Sequence, residues 1–416
     1  MKIRALTLFA TLKSESLDDD VSIFTLINER KQKLIKMREE YEAVGYEVQT
    51  IRITFNSFEE YLLLAEGGIN MKRLERLVNA LIQSGIDFCS LGDVVCEENI
   101  ALIPTILAYS SRLYCNVNIQ RDQVDNIYSI PNCYSRCYKA AKAVFDILQC
   151  SGELGNFNYC IGFNCQAYTP FYPVSYNHRS SSSGHSNDSI SLALESGDLL
   201  FLAFHGAESI DEGSNNLENT LYQVLKPIET IATDYCHRNQ IIYNGIDSSI
   251  NPGITLPDSV GFGLENILSL FPLAATDGTA TQTNQREFGQ YGTTAAVAAV
   301  TAGIKLLQSK STIKLVGYNG LMLPIMEDVI LADRGGYTIR DILLFSTICG
   351  VGIDTVPIPG NTKIEELACL YMEIATLAFR LNKPLSCRVL PMLNKVAGDV
   401  TDVNSSYLKN TKVVAL

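Results

Sequence analysis

The sequence predicts an α/β protein built on a largely parallel sheet that closes into a barrel. Three observations point there. Short apolar runs alternate with longer amphipathic ones along all 416 residues, in the order β-α-β-α. The short runs are apolar throughout, as in parallel strands covered by helices on both faces. About ten such strands are more than an open twisted sheet comfortably carries, which favours closure. No break in composition divides the chain, so one domain over residues 1–416 is expected.

Ile3 to Ala10 is a short apolar strand. The acids Asp18 to Asp20 lead into a charged amphipathic helix over Val21 to Val44, which Gly45 stops. Tyr46 to Phe55 alternates, Val48, Ile51 and Ile53 against Gln49, Arg52 and Thr54, and reads as a strand. A helix over Met71 to Ser84 ends at Gly85 and gives way to a strand over Ile86 to Leu91. A helix at Ile100 to Ser110, a strand at Arg112 to Ile119, a helix at Tyr134 to Gln149 and a strand at Asn158 to Asn164 follow. Tyr168 to Asp188 is rich in aromatic residues and proline, then in serine, and reads as a long loop lying over a site or free to move. Ile190 to Phe204 resumes a helical pattern. Helices are expected at Leu217 to Asn239, Ser259 to Leu270 and Thr294 to Gln308, and strands at Gln240 to Ile246 and Ile313 to Tyr318. Ile364 to Leu381 is a helix with Thr362 and Glu365 as a capping box, and Pro384 to Val389 is the last strand.

The stretch Thr338 to Gly360 concentrates the most unusual features. Ile339, Ile342, Leu343 and Leu344 recur at helical spacing, Thr338 caps that helix, and Cys349 closes it. Gly350 and Gly352 allow a sharp turn. A strand, Ile353 to Val356, then carries the carboxylate Asp354 until Pro357 and Pro359 end it.

Composition narrows the function. The net charge is −12 and the acids are spread along the chain, which argues against nucleic acid as a partner. No apolar run reaches the ~18 residues of a membrane span. The N-terminus reads as a strand and not as a signal peptide. Most of the twelve cysteines, among them Cys89, Cys115, Cys349, Cys369 and Cys387, sit in apolar segments. Free thiols in a reducing cytoplasm are therefore expected. Cys133 with Cys137 and Cys160 with Cys165 lack the spacing of a zinc ribbon.

Candidate chemistry lies in carboxylates. Gly-Ile-Asp recurs at 85–87, 245–247 and 352–354, a pattern that repeated helix-to-strand loops produce without any function. Asp247 and Asp354 stand out because their neighbours are apolar, and a carboxylate buried without a partner costs on the order of ~3 kcal/mol or more. Cys349 sits at a helix C-terminus, which disfavours a thiolate and favours a packing role. His205 follows an apolar helix and is one of four histidines, with His178, His185 and His237. Glu327 and Asp328 after Pro324 begin a helix or bind a divalent cation. Gly289 to Thr294 precedes an alanine-rich helix and can cradle an anion, yet matches no nucleotide fingerprint.

Several runs together carry a resemblance. They are Met322 to Asp328 (MLPIMED), Thr347 to Gly360 (TICGVGIDTVPIPG), Lys383-Pro384-Leu385 and Lys395 to Thr401 (KVAGDVT). Upstream, Ile3-Arg4 with Thr7, Val48 to Arg52 with Asn56, Ser90 to Gly92, Tyr109 to Arg112 and Gly245 to Ser249 with Pro252 agree. With these the chain resembles domain-of-unknown-function family 711, also called uncharacterised protein family 0210, over nearly its whole length. The resemblance implies a ten-stranded barrel like that of pyruvate formate-lyase and ribonucleotide reductase, two sets of five parallel strands around a finger loop. In those enzymes a finger-loop cysteine carries a radical, and Cys349 is the tempting equivalent. Ser405 to Leu416 contains no glycine, hence no glycyl-radical segment. Matching positions expected in a shared pocket are Arg52, Asn56, Asp247, Glu327, Asp328, Cys349, Asp354, Lys395 and Asp399.

Two functions follow as expectations. The first is a cytoplasmic enzyme acting on a small polar or anionic metabolite at the barrel mouth. Asp354, Asp247 and Cys349 would be catalytic. Glu327, Asp328 and Asp399 would hold Mg2+ or Ca2+. Arg52, Asn56, Lys395 and His205 would bind substrate. This version requires Asp247, Glu327, Asp354 and Asp399 to converge on one cavity. The second is a non-catalytic binding or assembly protein, a homo-oligomer or part of something larger, whose polar residues pair internally.

Overall fold

The computed structural model describes residues 2–121, 133–178, 188–271 and 286–416. Among them are nine strands: β1 (Lys2–Phe9), β2 (Glu47–Thr54), β3 (Cys89–Val94), β4 (Leu113–Ile119), β5 (Tyr159–Phe163), β6 (Ser189–Glu195), β7 (Ile242–Asp247), β8 (Gly352–Pro359) and β9 (Leu385–Met392). The helices between them are α1 (Asp20–Glu42), α2 (Met71–Ser84), α3 (Ile103–Tyr109), α4 (Tyr134–Ser151), α5 (Asp198–Phe204), α6 (Ile210–Arg238), α7 (Val260–Leu268), α8 (Thr293–Lys310), α9 (Val329–Arg334), α10 (Ile339–Cys349) and α11 (Ile364–Leu381).

The strands form one mixed sheet in the order β7-β6-β1-β2-β3-β4-β5-β9-β8. Neighbours from β1 to β5 are parallel, as are β6 with β7 and β8 with β9. Two antiparallel seams, β1 against β6 and β5 against β9, join the parallel groups. The run expected as a strand at Ile313 to Tyr318 is irregular. It meets the β7 side through bridges Ile246–Leu315 and Ile250–Leu321, and farther on Pro324 bridges to Asp354 of β8.

Sequence expectation fails at Ile190 to Phe204. Strand β6 occupies the first half and only Asp198–Phe204 is helical. Ile190, Leu192 and Leu194 alternate with Ser189, Ser191 and Ala193, a period of two that the helical reading overlooked. The capping pair of α11 also lies one residue later, at Lys363 and Glu366. Strand β8 continues to Pro359, past the expected stop at Val356. Both prolines are tolerated because β8 is the last strand in the sheet order, where a missing N–H is harmless. Helix α10 matches its reading: Thr338 and Asp341 form a capping box, and Gly350 follows Cys349 with φ +98°.

The main core lies between the helices and one face of the sheet, with Ile3, Leu6, Leu8, Ile53 and Ile161 fully buried there. Across the other face runs the segment 165–177, whose residues from 168 onward belong to the loop Tyr168 to Asp188 expected to lie over a site or to be free to move. Thr7 donates to the Pro170 carbonyl, Ser90 to the Ser175 carbonyl, Asn116 to the Pro173 carbonyl and Ser191 to the Tyr168 carbonyl. Four strands thus satisfy the backbone of a buried loop, which would otherwise be costly. Its residues 179–187, with His185, lie outside the described residues.

All twelve cysteines are unpaired, and Cys369, expected inside, is exposed. No helix among the described residues is long and apolar enough to cross a membrane.

Gly350 and Gly352 offer a controlled test of the turn. Both have positive φ, but a Cβ on Gly352 would lie 2.1 Å from the Ser386 carbonyl oxygen, whereas Gly350 has open space around it. Gly350→Ala should cost about 1 kcal/mol of conformational strain. Gly352→Ala should cost more, because the β8–β9 ladder must also shift; urea unfolding of both variants measures the difference.

Candidate functional site

Strand alternation places Thr50, Arg52 and Thr54 of β2 on the face opposite the main core. Arg52 is 8 % exposed. Its Nε donates to Thr50 Oγ1 at 3.0 Å. Its guanidinium lies between the rings of Phe88 and Tyr172, 5.1 Å from each centroid. Tyr172 is held in turn, donating to the Ile53 carbonyl at 2.7 Å and sharing a hydrogen bond with Thr54 Oγ1 at 2.9 Å. No carboxylate pairs with Arg52, and Nη1 and Nη2 have no hydrogen-bond partner among the described residues. Burial, aided by the like charge of Arg4, pushes its pKa down to about 10, so it remains a cation at neutral pH.

A second cluster centres on Arg388 of β9. Its Nε donates to Asp354 Oδ1 at 2.6 Å and its Nη2 to Asp354 Oδ2 at 3.0 Å. The same Nη2 donates to Glu327 Oε1 at 2.6 Å. The other Glu327 oxygen accepts from Arg4 Nη2 at 2.9 Å. Arg4 approaches Glu195 at 3.7 Å, and Glu195 pairs with Lys2 at 2.9 Å. With its amide turned to suit these neighbours, Asn251 accepts from Arg4 at 3.1 and 3.2 Å. The result is a continuous alternation, Lys2, Glu195, Arg4, Glu327, Arg388, Asp354.

Two irregularities in the strands aim this row. The β1–β6 register shifts between Ile3 and Ala5, which makes Arg4 the extra residue of a bulge. The β8–β9 register shifts between Ile353 and Val356. There Thr355 has φ +46°, a left-handed conformation that a β-branched residue rarely adopts. Its buried Oγ1 has no hydrogen-bond partner. Such strain costs on the order of 1–3 kcal/mol and persists where surroundings over-determine it, typically at functional sites.

Both clusters line one cavity of about 340 Å3. Phe88, Tyr114, Phe157, Tyr172, Met322 and Val351 supply most of its apolar wall. Burial pushes the Asp354 carboxyl up; Arg388 opposes this, Glu327 adds to it, and the net shift is upward. Burial works against the Arg388 cation, but Asp354 and Glu327 more than offset it and hold the pKa above the ordinary arginine value.

Of the residues singled out from sequence, Arg52, Glu327 and Asp354 meet at this cavity. The expected convergence of four acids does not occur. Asp247 is buried elsewhere, accepting from Ser249 Oγ, Ser249 N–H, Tyr318 N–H and Asn319 N–H at 2.6 to 3.0 Å, and so ties down the turn at Gly317. Asp328 caps two helices at once, taking N–H bonds from Ile330 and Leu331 of α9 and from Val260 of α7. Asp399 accepts from its neighbour Val396 and shares a separate surface depression with Lys395, which reaches Asp402 at 3.6 Å. Glu327, Asp328 and Asp399 therefore do not form one metal site. Among the described residues no three His, Cys, Asp or Glu side chains are grouped to hold an ion.

Cys349 packs in the main core and does not line the cavity. Asn56 is structural, accepting from the Leu12 N–H and donating to the Leu12 carbonyl. His205 follows α5 and stacks on Phe201 with centroids 4.6 Å apart. The Gly289 N–H is taken by Thr293 Oγ1 at 3.0 Å rather than left for an anion. Sequence reasoning missed Arg388, Arg4 and Glu195. Arg388 carried a usable signal: it is the one charged residue in the apolar strand LSCRVLPM, and a lone charge in a buried strand demands partners.

Comparison with known proteins places these residues in a family. The model described as Uncharacterised ACR (DUF711) matches residues 1–404. A UPF0210 protein of Acetivibrio thermocellus is 21% identical over 421 residues, spanning 97% of this chain and 88% of that protein. A UPF0210 protein of Clostridium perfringens is 24% identical over 198 residues, 47% of this chain and 40% of its own length. Among solved structures, an anaerobic ribonucleotide reductase has a TM-score of 0.23 at 11% identity, covering 91% of this chain and 62% of that one. A family 5 glycoside hydrolase from Prevotella bryantii has a TM-score of 0.20 at 13% identity, over 53% of this chain and 71% of that one. Neither structural likeness is close enough to bear on fold or chemistry.

Arg388→Met strands two buried acids and should cost about 3–5 kcal/mol near pH 8, read from urea unfolding. The penalty should shrink as pH falls, because Asp354, whose carboxyl pKa burial raises, takes up a proton and removes one stranded charge. Carboxyls whose folded pKa is raised above the unfolded value bind protons on folding, so their stability is present at low pH and lost as pH rises through the folded value.

Proposed function

We propose a function from the premise that the family match provides: this chain belongs to the Uncharacterised ACR (DUF711) family. Its cavity binds a small organic anion, with Arg52 as the anchor and Asp354 as the acid/base group that exchanges a proton with it. The observation that carries this reading is a buried, unpaired guanidinium facing the same cavity as a carboxyl with a raised pKa. A cation in such a place keeps one hydrogen bond and two ring contacts but has no counter-charge, which an anionic ligand supplies. A general acid or base works best when its pKa approaches the operating pH, and burial together with Glu327 moves Asp354 in that direction. Arg388 fixes both of its oxygens, and Glu327 in turn fixes Arg388.

The reading includes closure of the sheet into a barrel of about ten strands, with the run 314–324 as the irregular tenth. Supporting this, that run touches both ends of the strand order, β7 through Leu315 and β8 through Pro324. Glu195 at the end of β6 and Asp354 on β8 also line one cavity. The loop at 165–177 would then be the filling of the barrel.

A binding role without turnover is favoured by one observation: each acid lining the cavity already has a basic partner. Asp354→Asn separates the two readings.

A thermal-shift screen with small carboxylic and phosphorylated metabolites tests the proposal. A ligand should raise the Tm of the natural protein. Arg52→Met should weaken that ligand about ten- to hundred-fold, the loss of a hydrogen-bonded charge worth roughly 1.5–3 kcal/mol. Asp354→Asn should keep binding while abolishing turnover. A flat screen, or shifts unchanged in Arg52→Met, contradicts the assignment.

A further inference from the structure

Resting on that reading, we infer that the ligand is a monocarboxylate with a flat, apolar or aromatic body of about ten to twelve non-hydrogen atoms, and not a phosphorylated or dicarboxylic metabolite. Four features of the cavity combine to give this.

The first is the shape of the anchor. Arg52 spends its Nε on Thr50, which leaves Nη1 and Nη2 as a pair at one edge of the guanidinium. The rings of Phe88 and Tyr172 each lie 5.1 Å from its guanidinium carbon and crowd the approach to it. The edge carrying Nη1 and Nη2 is therefore where an anion finds unused donors. Two parallel N–H groups in one plane match the two oxygens of a carboxylate. A tetrahedral phosphate would turn its third oxygen toward rings that offer no donor.

Charge gives the second argument. The cavity wall holds Arg4, Arg52 and Arg388 with Glu195, Glu327 and Asp354. The acids are already engaged by Lys2, Arg4 and Arg388, so Arg52 alone is open to an anion. One incoming negative charge meets one free cation. A dianion would leave its second charge among aromatic rings or beside an acid, where lost hydration is not replaced.

The wall is the third. Beyond Arg52 and the mutually paired charges, the wall carries the apolar and aromatic side chains of Tyr114, Phe157, Met322 and Val351 together with the polar Gln49, Asn251, Ser386 and Ser406. A ring or branched chain gains burial against those apolar side chains.

Size is the fourth. The cavity of about 340 Å3 equals the space of roughly eleven water molecules at ~30 Å3 each. That suits a ring bearing a short acid side chain.

Isothermal titration distinguishes the possibilities with four probes: 3-phenylpropionate, its neutral amide, glycerol 3-phosphate and glutarate. For the intact protein, 3-phenylpropionate should bind at least tenfold more tightly than each of the others. Arg52→Lys keeps the charge but loses the fork, and should weaken it about tenfold; circular dichroism checks that the variant is folded. If glycerol 3-phosphate or glutarate binds more tightly, and does so through Arg52, the ligand class is wrong while the anion-binding role survives. If the amide binds as well as the acid, the carboxylate assignment is overturned. Absence of Arg52-dependent binding for all four overturns both.

Discussion

Arg388 determines how the interior of this protein can be polar. Its guanidinium holds Asp354 with two nitrogens and Glu327 with one, and it is 6 % exposed. Without that cation, two acids would stand side by side in a poorly solvated space. Because Glu327 also reaches Arg4, and Arg4 reaches Glu195, the pairing extends along the cavity wall to Lys2. Buried ion pairs seldom add much net stability, since desolvation offsets the attraction. Their value here is positional: each acid has a fixed place, set by partners on strands that are distant in sequence.

The backbone serves the same end. A bulge in β1 brings Arg4 round to this face, and a strained turn at Thr355 adjoins Asp354. Meanwhile the segment 165–177 packs across that face of the sheet and carries Tyr172 against Arg52. The polar side chains of four strands satisfy that segment's carbonyls, so a buried loop becomes affordable. What is left over is a small aromatic-walled cavity with one cation unmatched. The functional proposal grows from that single mismatch in an otherwise balanced interior.

Much of the architecture is legible in the sequence because strand–helix alternation is a local property. Glycine stops at Gly45, Gly85 and Gly350, and the Thr338 cap, mark boundaries through short-range sterics and hydrogen bonds. The antiparallel seams are not legible, since strand direction depends on which distant strands meet. Strand β6 is hard to read because its period-two run is short and leads almost directly into the apolar helix α5. At the site, apolar surroundings correctly draw attention to Asp354 and to Asp247, but they cannot tell the two apart. Asp354 is neutralised by Arg388 at the cavity, while Asp247 is satisfied by N–H and hydroxyl groups of a turn. Asp328 illustrates the same ambiguity, since a helix cap and a metal ligand look alike in one dimension.

The central claim is that Asp354 and Glu327 share one cation at the cavity, and that burial, with the Glu327 charge adding to it against the opposing pull of Arg388, leaves Asp354 easier to protonate than an ordinary carboxyl. A 13C NMR titration of the Asp354 carboxyl, in the natural protein and in Glu327→Gln, tests it directly. The account predicts a midpoint above the ordinary value of 3.8, moving down when the Glu327 charge is removed. A midpoint at or below 3.8, unmoved by that substitution, would contradict it.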